Sequence, residues 1–99
     1  MARQAKAKNP TKAKTPDNAP PEIKATERAA IERGFVASVT EAENSWNLSL
    51  WHNGHQKALI QLSKGTLGTT VSRFYDRHGT CIRCTTDSPA VALRQCSTL

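Results

Sequence analysis

The sequence predicts a small α+β domain: an antiparallel β-meander of about four to five strands, with a short N-terminal helix, a short C-terminal helix and a disordered basic tail in front. Three observations carry that expectation. Trp46-Asn47-Leu48-Ser49-Leu50 alternates strictly between apolar and polar residues, as a half-buried strand does, and leads into Asn53-Gly54, a dipeptide suited to a tight hairpin turn. Threonines and other β-favouring residues crowd the segment from Thr66 to Thr86. Asp87-Ser88-Pro89 reads as an N-cap followed by a first-turn proline.

Residues 1–21 form the tail. After Met1 they hold no large aliphatic or aromatic side chain, so they cannot bury enough apolar surface to offset the entropy of ordering them. Residues 22–99 form the small α+β domain, enough chain for one modest core. Glu22 to Arg33 reads as a helix with Ile23, Ala30 and Ile31 on one face, Ala29 at its border, Thr26 as an alternative cap and Gly34 at its end. Phe35 to Val39 reads as a strand and Thr40 to Ser45 as a turn, although Thr40-Glu41-Ala42-Glu43 also fits a helical capping box. A return strand over His55 to Leu62, paired across a two-residue turn, sets Leu50 opposite Lys57, Leu48 opposite Leu59 and Trp46 opposite Gln61. Val71 to Asp76 and Thr80 to Thr85 pair across Arg77-His78-Gly79. The last helix runs over Ala90 to Cys96, with Ala90, Val91 and Leu93 available to cover the sheet.

The region from Ala58 to Tyr75 has a second reading. Gly65 falls at a tight turn, and Thr70-Val71-Ser72-Arg73 resembles the recognition helix of bacterial helix-turn-helix DNA-binding units. That resemblance implies a buried stripe of Leu67, Val71, Phe74 and Tyr75, with Thr69, Thr70 and Arg73 reaching the major groove. Gly68 inside the second helix and Gln61 at a helix contact weigh for strands.

The formal net charge is +6, with both ends basic and the middle mildly acidic. Such a balance suits a polyanionic partner, DNA or RNA, held by Lys6, Lys8, Lys12 and Lys14 of the tail and by Arg73, Arg77, Arg83 and Arg94. A small basic nucleic-acid-binding accessory or regulatory protein is therefore the first functional expectation. The second is a non-enzymatic protein-interaction module, such as a small inhibitor or adaptor of a mobile element, that meets its protein partner through Trp51 and the faces of the meander.

Cys81-Ile82-Arg83-Cys84 has the spacing with which one turn offers two thiolates to a tetrahedral ion. His52 and His55, or His78 and Cys96, complete two alternative structural zinc sets; unligated cysteines are the simpler expectation, and a redox pair lacks its βαβ setting. Three cysteines, an odd number, favour a reducing compartment, and cytoplasm is the expected location. No apolar run approaches a membrane span, so no membrane partner is expected. No phosphate-cradling loop, nucleophile elbow or close carboxylate pair points to an enzyme.

Overall fold

The alternation along Trp46–Leu50 is resolved by what lies on each side of it. In the computed structural model, which describes residues 15–75 and 81–96, five antiparallel strands follow in chain order and two helices cover one face of their sheet. The order is α1 (Pro21–Glu32), β1 (Val36–Glu41), β2 (Ser45–His52), β3 (His55–Ser63), β4 (Thr69–Phe74), β5 (Cys81–Thr86) and α2 (Pro89–Arg94). Each strand pairs only with its chain neighbours, so β1 and β5 are the edges.

The core lies between sheet and helices. Ala37 and Val39 of β1, Trp46, Leu48 and Leu50 of β2, Ala58 and Ile60 of β3 and Val71 of β4 all point inward, against Ile23 and Ala30 of α1 and Ala92 and Leu93 of α2. Full burial of an aliphatic side chain of this size contributes about 1.5–3 kcal/mol, so Leu48, Leu50 and Ile60 together outweigh any surface feature of the sheet.

The hairpin turn is where the residues place it. Asn53 has φ 53° and Gly54 φ 80°, the paired positive values that a type I′ turn requires. Register beyond the turn departs from simple pairing. His52 opposes His55 and Trp51 opposes Gln56, but a bulge then inserts Lys57, and Leu50, Leu48 and Trp46 face Ala58, Ile60 and Leu62 instead of Lys57, Leu59 and Gln61. The physical reason is burial. Without the extra residue the inward row of β3 would be Lys57, Leu59 and Gln61, placing a lysine and a glutamine against the core.

The helix-turn-helix reading is overturned. Thr69–Phe74 is a strand laddered to both β3 and β5, Gly68 takes φ 82° in the preceding loop, and Leu67 is 84% exposed rather than part of a buried stripe. The capping-box alternative at Thr40 also fails, because β1 runs on to Glu41.

Both helices shift relative to expectation. α1 opens at Pro21 behind Pro20, and Thr26 is not a cap: it is buried and its hydroxyl donates to Glu22 O at 2.7 Å. The inward face holds Ile23, Thr26, Glu27 and Ala30, which leaves Ile31 44% exposed. Ahead of the helix, Ala19 is buried in the core, and Thr15 donates to both oxygens of the Glu27 carboxylate at 2.9 and 2.8 Å, so the packed body begins before residue 22. In α2, Ser88 caps as expected, its hydroxyl accepting from Val91 N at 3.3 Å, but Ala92 rather than Ala90 joins Leu93 against the sheet.

Two arginines fasten the end of α2. Arg33 donates to Leu93 O and Cys96 O, both at 2.7 Å, and Arg73 donates to Gln95 O at 3.3 Å. At the opposite side of the sheet Lys64 pairs with Glu41 and lies over the Trp46 ring, and that hydrogen bond holds the Glu41 carboxyl below its usual range.

Candidate nucleic-acid interface

Strand alternation fixes what the other face of the sheet presents. One cross-strand row reads Ser38, Ser49, Leu59, Ser72, Arg83, and the next reads Thr40, Asn47, Gln61, Thr70, Thr85. Toward the β2–β3 turn, Val36 lies beside Trp51, and at the far side Phe74 lies beside Cys81. Both helices pack against the inner face, so this outer face has no described element over it.

Its polar side chains are tied together. Ser45 donates to Asn47 Oδ1 at 2.8 Å, Gln61 donates to the same atom at 3.5 Å, and Arg83 Nε donates to Ser72 Oγ at 3.3 Å. The last bond lays an exposed guanidinium across β4 and covers Ser72, which is buried although it faces outward. Trp51, Leu59 and Phe74 are half-buried on this face. Among the paired outward positions of the five strands, Arg83 is the only residue of the Asp, Glu, Lys and Arg types, and the bulged residue of β3 is also basic, Lys57.

The residues expected to contact phosphate are placed unequally. Arg83 lies on the open face and Arg94 is exposed on α2. Arg73 points the other way. It lies in the inward row between Ala58 and Ile82, bonds the α2 carbonyl, sits 5.8 Å from the Tyr75 ring centroid, and its Nε is buried without a protein acceptor among the described residues. Lys6, Lys8, Lys12, Lys14 and Arg77 lie outside the described residues. Residues 1–14 nevertheless hold five basic side chains and no acid, whereas the described residues hold eight basic and seven acidic ones. The charge surplus is therefore carried by residues 1–14.

The four ligand candidates are not brought together. Cys81 and Cys84 are three residues apart in an extended strand and point to opposite faces: Cys81 outward and exposed, Cys84 inward with its thiol donating to Gln95 Oε1 at 3.3 Å. His52 and His55 flank the β2–β3 turn, with β4 standing between their hairpin and β5. No group of three His, Cys, Asp or Glu side chains forms a metal-binding cluster among the described residues, and His78 lies outside them. Cys96 is buried, its thiol donates to Ala92 O at 3.4 Å, and burial pushes its pKa up to about 11.

These placements predict an order of thiol reactivity. With an alkylating reagent near neutral pH, Cys81 is expected to react first and Cys96 last, read by peptide mass spectrometry. Protection of Cys81 that a chelator removes would instead reveal a bound metal.

Lys57, Ser72 and the two outward aromatic residues were the parts of this face that charge counting missed. The signal for Ser72 was its place in the polar half of an alternating strand, while Trp51 was expected only at a protein partner and Phe74 had a role only in the helix-turn-helix stripe. Comparisons with protein-family models, with curated proteins and with solved structures find no match to this chain. No helix among the described residues is long and apolar enough to cross a membrane.

Proposed function

We propose that this protein binds nucleic acid through the open sheet face together with its basic N-terminal segment. The observation that carries the reading is the charge of that face: Arg83 stands on it, Lys57 sits at the β3 bulge beside it, and no described residue at its paired outward positions is a carboxylate. A phosphate chain laid across the strands meets two cations and a field of hydroxyl and amide groups, all able to donate hydrogen bonds to its oxygens. Trp51 and Phe74 offer ring surface at neighbouring parts of the same face, which suits unpaired bases better than a closed duplex. Lys6, Lys8, Lys12 and Lys14 add contacts that require no fixed geometry. Arg73 has no part in this reading, because its guanidinium is engaged at α2.

The test is fluorescence anisotropy with random-sequence single-stranded DNA, single-stranded RNA and duplex DNA over a range of salt. Single strands are expected to bind more tightly than duplex, with affinity falling steeply as salt rises. Removing residues 1–14 should lower the salt slope by roughly 3 to 4, about 0.7 for each of five lost phosphate contacts. Arg83→Glu should weaken the remaining binding several-fold, about the loss expected for one charged contact replaced by repulsion. Absence of binding at low salt, with a protein partner retained at high salt, would instead establish the interaction-module reading.

A further inference from the structure

The helix layer has a groove of its own, on the opposite side of the molecule from the open sheet face. It lies between α1 and α2, with a volume of about 620 Å³. Its walls are short and apolar: Ala25 and Ala29 from α1, Ala90 and Leu93 from α2. Small side chains leave room for close approach of another surface.

The two ends of the groove differ in charge. Arg33 reaches Leu93 O and Cys96 O, so the C-terminal ends of both helices lie side by side, and Arg94 joins Arg33 there. Glu22 also lines the groove, but from the first turn of α1, roughly 16 Å away along the helix at 1.5 Å per residue. The groove is thus acidic at one end and doubly basic at the other.

That polarity selects the occupant. An occupant that spans the groove must set a cation at Glu22 and an anion at Arg33 and Arg94, so an anionic ligand of that length and a lysine-rich segment such as residues 1–14 each meet one end with the wrong sign. A surface carrying the same pattern in reverse satisfies both ends, and a two-fold rotation perpendicular to the groove generates that reverse from the groove itself. We infer that the α1–α2 groove is the self-association surface of this chain, with a second copy packed across it so that Glu22 of each copy faces Arg94 of the other. Ala25, Ala29 and Ala90 of the two copies then line the seam between them. A folded body this small gains from such burial.

Sedimentation equilibrium of the full-length chain, from micromolar to millimolar concentration, tests this. A concentration-dependent dimer is expected. Glu22→Arg and Arg94→Glu should each raise the dimer dissociation constant about tenfold or more, since each creates two like-charge contacts in a two-fold interface. The double variant Glu22→Arg/Arg94→Glu should restore dimerisation, and circular dichroism should show all three variants folded. A monomer throughout, a dimer indifferent to both single reversals, or a double variant no better than the singles would each overturn the inference. Because the sheet face is untouched, loss of dimerisation and loss of nucleic-acid binding are separately measurable.

Discussion

Leu48→Ala is expected to remove about 3 to 5 kcal/mol of stability, the range for deleting a fully buried leucine from a core that cannot close the cavity. Leu48 has no exposed surface, sits at the centre of β2, and is flanked in its own row by Val39 and Ile60. β2 is laddered to β1 on one side and β3 on the other, so its backbone cannot shift alone to fill the void. Small domains carry about 5–15 kcal/mol in total, so this one change places the protein near its unfolding threshold. Urea denaturation followed by circular dichroism reads the loss. Leu59, one residue along β3 from Ile60 and on the open face, is the control, and its alanine variant should cost about 1 kcal/mol, as half-exposed positions do. Equal costs at the two positions would mean that the outer face is covered after all.

Arg33→Ala is expected to cost about 2 kcal/mol. The guanidinium donates to two carbonyls at the end of α2, and a hydrogen bond from a charged donor contributes about 1.5–3 kcal/mol net. Part of that is recovered because Arg33 is exposed and water can reach the freed oxygens. Arg33→Lys should rescue only partly, since one ammonium cannot reproduce the two parallel bonds of the fork. A local readout separates this from general destabilisation. Loosening α2 uncovers Cys96, whose alkylation should accelerate in Arg33→Ala well beyond that of the outward-facing Cys81. An unchanged Cys96 rate would show that α2 is held without Arg33, by its buried side chains and the Arg73 bond to Gln95 O.

The fold was legible wherever a local rule acts on consecutive residues. Asn53-Gly54 specifies its own turn, Trp46 to Leu50 specifies its own alternation, and Ser88-Pro89 specifies the start of α2. What was not legible depends on residues distant in the chain. The bulge at Lys57 exists because β2 demands apolar partners, and nothing in His55–Leu62 alone reveals that demand. Ile31 and Ala30 are adjacent, and only the docking of α1 on β1 decides which of them is buried.

The candidate site divides in the same way. Arg73 reads as a free cation in sequence, and only the fold brings Gln95 O to it from 22 residues away. Cys81 and Cys84 have ligand spacing, but an extended backbone turns residues three apart to opposite faces. The polar outer positions of the strands were visible as alternation. That the helices would leave this particular face open was not, because alternation names two faces without saying which one is covered.

The order of the strands bears on how the chain assembles. Every ladder joins neighbours in sequence, so each strand can dock on the one before it as soon as it has been synthesised, and the meander has low contact order. The arginine clamp is the opposite case: Arg33 must wait for Leu93 and Cys96, separated from it by 60 and 63 residues. Until α2 has been synthesised, the inner face beneath it stays uncovered, with Ile60 and Val71 open to other nascent chains. Truncation before Leu93 is therefore expected to leave the ladders formed but the inner face exposed and aggregation-prone, which light scattering would read.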